Sequence, residues 1–252
     1  MRLITYRSVL GQILFFLSTV PIGSAHSQTH VADTAFVVSA VKNAREVYTR
    51  SLGVGSHLLN GIQYKEYNPH LDDVGHPYFV SDDWVEGTVH YDGDVYEGVA
   101  ILYDLVRERI VIEHPYAGIK LDLIREKIKY VDLPGHRFVR IDADTIKNSP
   151  IRTGFYDLLY DGRTKFYAKR QKTKKEEIVG MEIKVSFSEN DHLYIYKKGE
   201  YFPVKSKSSV LDVLGDRKAE VRKYIRKNKI RFRKGRELAM TRVVSFYDES
   251  GQ

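Results

Sequence analysis

The stretch Val89-His90-Tyr91-Asp92-Gly93-Asp94-Val95-Tyr96 sets an Asp-Gly dipeptide between two runs of strand formers. A tight hairpin turn needs positive φ at its two central residues, which Asp and Gly tolerate and β-branched residues do not. The spacing therefore predicts an antiparallel hairpin at this point. The same texture continues downstream. Val99–Tyr103 and Ile110–Glu113 flank the polar segment 104–109, which predicts the next hairpin. Ile119-Lys120-Leu121-Asp122-Leu123 alternates with the period of a half-buried strand. Further runs at Ile128–Val131, Phe138–Ile141, Phe155–Tyr160, Arg163–Ala168, Glu182–Phe187, His192–Tyr196 and Tyr201–Val204 are parted by turn residues, among them Asp161-Gly162, Glu189-Asn190-Asp191 and Lys198-Gly199. Short strands at this spacing, without helices between them, predict a mostly antiparallel β body: a sandwich, a roll or an open barrel.

Helical patterns stand on either side of the β body. Phe36, Val37, Ala40, Val41, Ala44, Val47 and Tyr48 recur at steps of three and four, behind Asp33 as N-cap and ahead of Gly53 and Gly55. That periodicity predicts a helix over Asp33–Leu52. Beyond Pro203, Ser208 or Ser209 is placed to cap a short turn carrying Val210, Leu211 and Leu214. Asp216 is placed to cap a helix with Val221, Tyr224 and Ile225, and Glu237–Tyr247 carries a further apolar stripe. The expected fold class is α+β: an N-terminal helix, an antiparallel β body and a basic C-terminal helical hairpin docked on the sheet.

The chain of 252 residues is 42% hydrophobic and 29% charged, which fits a folded protein. It contains no cysteine, so a disulfide scaffold, a Cys-ligated zinc site, an iron–sulfur cluster and thiol catalysis are excluded. No nucleophile elbow, His-Glu-x-x-His, phosphate-binding loop or dinucleotide fingerprint occurs, and no cofactor is expected. The first residues carry Arg2 and Arg7 and no acid, an apolar run spans Val9–Ile22, and Gly23, Ser24 and Ala25 follow. This is the order of a secretory signal peptide, cleaved after Ser27 or, on an equivalent small-residue pattern, after Ala25. The run is shorter than a membrane span and is interrupted by Gln12, Ser18 and Pro21. The expected organisation is thus a signal peptide at 1–27, the N-terminal helix with the β body at 28–205, and the basic helical region packed on it at 206–252. Localisation is expected to be periplasmic or extracellular, with no transmembrane segment in the mature chain.

The strongest anomaly is charge. Between Arg217 and Arg236 there are eleven cations and one acid, Glu220, a local balance of 11 − 1 = +10. The whole chain carries only +7. Arg222, Lys223, Arg226, Lys227, Lys229, Arg231 and Arg233 are the candidate contacts to an anionic surface, with Tyr224 and Phe232 as stacking partners or core anchors. A solvated helix face is the plainer alternative. The expected partner is an anionic lipid, a polysaccharide or an envelope protein rather than nucleic acid. A second candidate is a metal cluster of His70, Asp72 and His76, with Asp73 beside them, because imidazole and carboxylate suit zinc or manganese. The spacing matches no strong signature, and loop polarity explains it equally. The region His70–Trp84 is also where the active site of a secreted hydrolase would lie, the alternative to a non-enzymatic binding or envelope-associated protein. Asp82, Asp83 and Trp84 suit either a sugar ring or a capped turn with the indole in the core. Tyr91, Tyr96 and Tyr103 suit cross-strand packing or an aromatic contact face.

Several segments together, Gly87-Thr88-Val89-His90-Tyr91-Asp92-Gly93 with Tyr96-Glu97-Gly98-Val99, Leu102-Tyr103-Asp104, Gly135-His136-Arg137-Phe138, Thr153-Gly154-Phe155-Tyr156 and Lys205–Leu211 leading to Tyr224–Lys229, resemble a group of secreted β-rich proteins of Bacteroidetes-type bacteria. The resemblance implies export, a β-rich body and a basic helical end. It implies no activity and no catalytic residue.

Overall fold

Asp92 and Gly93 both take positive φ, 53° and 91°, and join β2 (Val85–Tyr91) to β3 (Asp94–Asp104) in the expected hairpin. The computed structural model describes residues 36–41, 43, 57–67, 74–115, 117–146, 149–180 and 182–250. The chain divides into two compact units, residues 1–48 and 49–252. In the first, residues 36–41 and 43 are helical, with Phe36, Val37 and Val41 exposed. The rest of the expected Asp33–Leu52 helix, and the whole expected signal peptide, lie outside the described residues.

In the second unit the strands form one open, antiparallel sheet. After β1 (Ile62–Gln63), β2 and β3 come β4 (Arg109–Glu113), β5 (Lys120–Asp122), β6 (Ile128–Leu133), β7 (His136–Ile141), β8 (Gly154–Tyr160) and β9 (Lys165–Lys169). The pair β10 (Lys172–Val179) and β11 (Glu182–Glu189) stands apart as a two-stranded sheet, and β12 (His192–Lys197) and β13 (Glu200–Val204) rejoin the main one. The eleven strands run in the order β1-β5-β4-β3-β2-β6-β7-β8-β9-β12-β13. Of the strand segments read from the sequence, all are present; the sequence reading lacked the short β1 and the whole of β10. The β2–β3 register shifts between Gly87 and Val89. Gly87 is required there: a Cβ would lie 2.5 Å from the Asp132 carbonyl oxygen of the neighbouring strand.

The sheet curls strongly. β3 and β8 are four places apart in the strand order, yet Tyr103 packs edge-on to Phe138 and Phe155, with ring centroids 4.9 and 6.0 Å apart. The approach is fastened by Glu108, in the β3–β4 turn, whose carboxylate accepts from Phe155 N at 2.7 Å and pairs with buried Lys169. Burial pulls the Lys169 ammonium below the ordinary lysine range, against the opposing pull of Glu108.

One face of the sheet carries two cores in succession. Tyr91, Ile101, Tyr103, Ile110, Val131, Phe138 and Phe155 belong to the first. Phe166, Ala168, Leu193, Ile195 and Val204 belong to the second, which the C-terminal helices cover. Register shows that the face is continuous: Phe138 pairs with Asp157, Asp157 with Ala168, and Ala168 with Leu193, so all four side chains point the same way.

The helices are three rather than a hairpin: α1 (Lys207–Val213), α2 (Lys218–Lys227) and α3 (Arg236–Glu249). The cap of α1 is Ser206 and neither Ser208 nor Ser209; Ser209 lies at the third helical position and exchanges bonds with Ser206 in a capping box. Asp216 does not cap α2 through its side chain. Its carboxylate instead accepts from Lys197 Nζ and from the Tyr247 hydroxyl, both at 2.7 Å, tying β12 to α3. These two donors, Lys197 foremost, hold the Asp216 pKa down at about 2. Asp248 on α3 reaches back to the β8–β9 turn, where Arg163 N and Thr164 N donate to its two oxygens at 2.9 and 3.0 Å. Gly162 leaves the room for that carboxylate, which a Cβ would fill.

Candidate functional site

The basic region is built on the two-sidedness of α2. Val221 and Ile225 are buried in the second core, four residues apart and hence on one side of the helix. Tyr224 stacks on Phe246 of α3 with centroids 3.9 Å apart, and Phe232 packs at the margin of the same core. These aromatic rings are anchors. The positions between the anchors turn outward, so Arg222, Lys223, Arg226 and Lys227 are all exposed. The helix ends with Lys229 in the left-handed conformation, a position usually given to glycine or asparagine. The chain then runs on through Arg231 and Arg233, which are also exposed.

The stripe divides by partner. Arg217 pairs with Glu220 and donates to the carbonyls of Tyr247 and Ser250 at 2.9 Å, capping the negative end of α3. Lys218 pairs with Asp212 at 2.7 Å, and the same carboxylate lies in the field of Arg222. Lys223, Arg226, Lys227, Lys229, Arg231 and Arg233 make no ion pair among the described residues. Two of the eleven cations thus hold the helices together, and the outward ones are left to solvent or to a partner.

The second cluster was not read from the sequence. Arg170, following β9 and 10% exposed in its side chain, contacts three carboxylates. Its Nε and Nη2 donate to Asp157 Oδ2 at 3.0 and 2.7 Å, and it also pairs with Asp191 and Glu237 at 2.7 and 2.6 Å. Asp157, 1% exposed, meets His136 Nδ1 at 2.8 Å through the same oxygen. Burial alone would lower the guanidinium pKa, but hydrogen bonds to Glu237, Asp191 and Asp157 raise it well above the usual arginine range. This network lies on the sheet face where the first core gives way to the second, and it joins β7, β8, β9 and α3. An arginine with three carboxylates fixes those elements. The pairing of His136 with Asp157 orients the imidazole, yet no serine, threonine or cysteine is bonded to that ring among the described residues.

The other candidates separate. Of the metal reading, His70 and Asp72, with Asp73, lie outside the described residues. His76 is partly buried and stacked near Tyr78, and burial first, then the neighbouring Lys172, lowers its pKa. No group of three potential metal-ligating side chains occurs among the described residues. Ser81 Oγ accepts from Asp83 N at 3.0 Å, the capped-turn reading, and Trp84 packs beside Tyr64, Tyr78, Leu102 and Val111. Tyr91, Tyr96 and Tyr103 are core residues. Asp104 is fully buried and accepts from Tyr64 and Tyr67 hydroxyls and from Val106 N and Arg107 N, closing the β3–β4 turn. An open depression is lined by His90, Gly93, Glu126, Lys127, Ile128, Lys129 and Arg140, a mixed set without convergent chemistry. Among the described residues no helix is long and apolar enough to cross a membrane. No family model, no curated protein and no solved structure matches this chain.

Proposed function

We propose that this is an exported, non-enzymatic binding protein of the cell envelope that meets an anionic surface through α2 and the segment after it. One observation carries the reading: Lys223, Arg226, Lys227, Lys229, Arg231 and Arg233 are exposed and make no ion pair among the described residues, while the opposite side of α2 is buried in the core. The backbone beneath these cations is already ordered, so binding does not have to order it. The three carboxylates around Arg170 and the turn-closing Asp104 hold the scaffold and leave the outward charge to the partner. Export is supported by the charged, apolar and small-residue order of the first 27 residues.

The test is binding to vesicles containing anionic lipid, at low and at physiological salt. A lysine or arginine held near such a surface contributes about 1 kcal/mol, so replacing Arg222, Arg226 and Lys229 by glutamine should weaken binding by about two orders of magnitude. The control replaces Lys65, Lys129 and Arg152, exposed cations on other elements, at equal cost in net charge. Because the Debye length is about 8 Å at 0.15 M salt, binding should also fall sharply between the two conditions. Equal losses from both triple variants, or no binding at low salt, would overturn the proposal. Amino-terminal sequencing of the secreted protein should begin near Gln28 or His26.

A further inference from the structure

The β10–β11 hairpin differs from every other pair of strands in this fold. It is attached to the body mainly along β11 and at its base. Val74 bridges to β11, donating to Val185 O at 2.9 Å and accepting from Phe187 N at 3.1 Å. Val185 is buried there, and Phe187 meets Tyr67 edge-on. Lys172, at the base, donates its backbone N–H to Leu105 O, and its ammonium to the carbonyls of His76 and Tyr78. From Lys174 outward, no described segment pairs with the outer edge of β10.

That open edge has a defined backbone phase. The Lys172 N–H points away from β11, whereas the Gln171 carbonyl points towards it, accepting from Asn190 N at 2.9 Å. Residues therefore alternate, and Lys174, Glu176 and Ile178 direct their backbone groups outward. An exposed strand edge is a template for another strand, and lysines commonly protect it by repulsion. Here the strand reads Lys172-Thr173-Lys174-Lys175-Glu176-Glu177-Ile178-Val179. A lysine half is followed by a glutamate half, so the sequence is charge-complementary to itself when reversed.

We infer that the outer edge of β10 is a dimerisation edge, which pairs antiparallel with β10 of a second copy to build a four-stranded sheet. A two-fold axis perpendicular to the sheet gives two central registers. Centred on Lys175, the pairing sets Lys174 opposite Glu176 of the second copy, twice. Centred on Glu176, it sets Lys175 opposite Glu177, twice. The first converts the within-strand pair Lys174–Glu176, and the second the pair Lys175–Glu177, into two pairs across the two-fold, which outweigh the single like pair on the axis, Lys175 with Lys175 or Glu176 with Glu176. Both also place Ile178, 77% exposed in one copy, beside the aliphatic stem of a lysine. A hairpin of two strands is marginal in water, and a four-stranded sheet removes the open edge of each.

The experiment is sedimentation velocity of the purified protein over a range of concentrations. The wild type should form a dimer whose fraction rises with concentration. Lys174→Pro removes one outward N–H without touching the β10–β11 ladder and should leave a monomer. A Lys174→Glu/Lys175→Glu variant and a Glu176→Lys/Glu177→Lys variant should each be monomeric, and their equimolar mixture should restore the dimer. A wild type that stays monomeric at the highest concentration overturns the inference. So do charge variants that each dimerise as the wild type does, or a mixture that remains monomeric.

Discussion

Replacing Arg170 by methionine removes one cation from among three carboxylates and tests how the two cores are joined. Met matches the length of the side chain and keeps its apolar contacts. The loss is dominated by Asp157, which at 1% exposure has no access to solvent and, among the described residues, keeps only His136 as a partner. Removing one member of a buried ion pair typically costs about 3–5 kcal/mol, because the remaining charge stays desolvated. Asp191 and Glu237 are 27% and 37% exposed, so they rehydrate and add little. At about 2–4 °C per kcal/mol for a domain of this size, the melting temperature should fall by about 6–20 °C. Urea unfolding should show the same loss as a lower midpoint with an unchanged slope. Pairing Arg170→Met with Asp157→Leu should recover part of it, since the buried charge is then gone. A loss under about 1 kcal/mol for the single variant would refute the assignment of Arg170 as the buried tie.

Two further predictions concern the C-terminal helices. Asp248→Ala should cost about 2–4 kcal/mol, because two backbone donors lose charge-assisted bonds and buried Thr164 N–H cannot rehydrate; Asp248→Asn should be nearly as costly, since its amide can satisfy only one of them, and equal melting temperatures for wild type and Asp248→Ala would count against the cap. Asp216, held at about 2 against an unfolded value near 3.9, stabilises the fold above the unfolded pKa and loses that contribution as pH falls through the folded one, so the stability gap between wild type and Asp216→Asn should close between about pH 4 and pH 2, as followed by urea unfolding at each pH.

The β body was legible because its signals are local. Asp92-Gly93 specifies a turn within two residues, and the alternation from Ile119 to Leu123 marks a strand within five. β10 was hidden for the opposite reason. Its run of lysines and glutamates has weak strand preference, and what makes it a strand is its pairing with Glu182–Glu189 across the turn. The outward face of α2 was also readable, since the 3.6-residue repeat separates Val221 and Ile225 from Arg222 and Arg226. Asp216 shows where that reading fails. A carboxylate ahead of a helix looks like a cap, yet Lys197 and Tyr247 compete for it from 19 residues before and 31 after. The same holds for Arg170 and Asp157: single charges dispersed along the chain, 13 residues apart, become neighbours only because β8 pairs with β9.

The second core also sets a schedule for the growing chain. Phe166, Ala168, Leu193 and Ile195 sit on strands complete by Val204, but Val243, Val244 and Tyr247 that cover them come last, and the β8–β9 turn waits for a carboxylate 84 residues further on. At synthesis rates of about 5–20 residues per second, the segment from Val204 to Asp248 takes about 2–9 s to emerge. During that interval β9, β12 and β13 present a bare apolar face, and any escort that binds such faces has only that time in which to act.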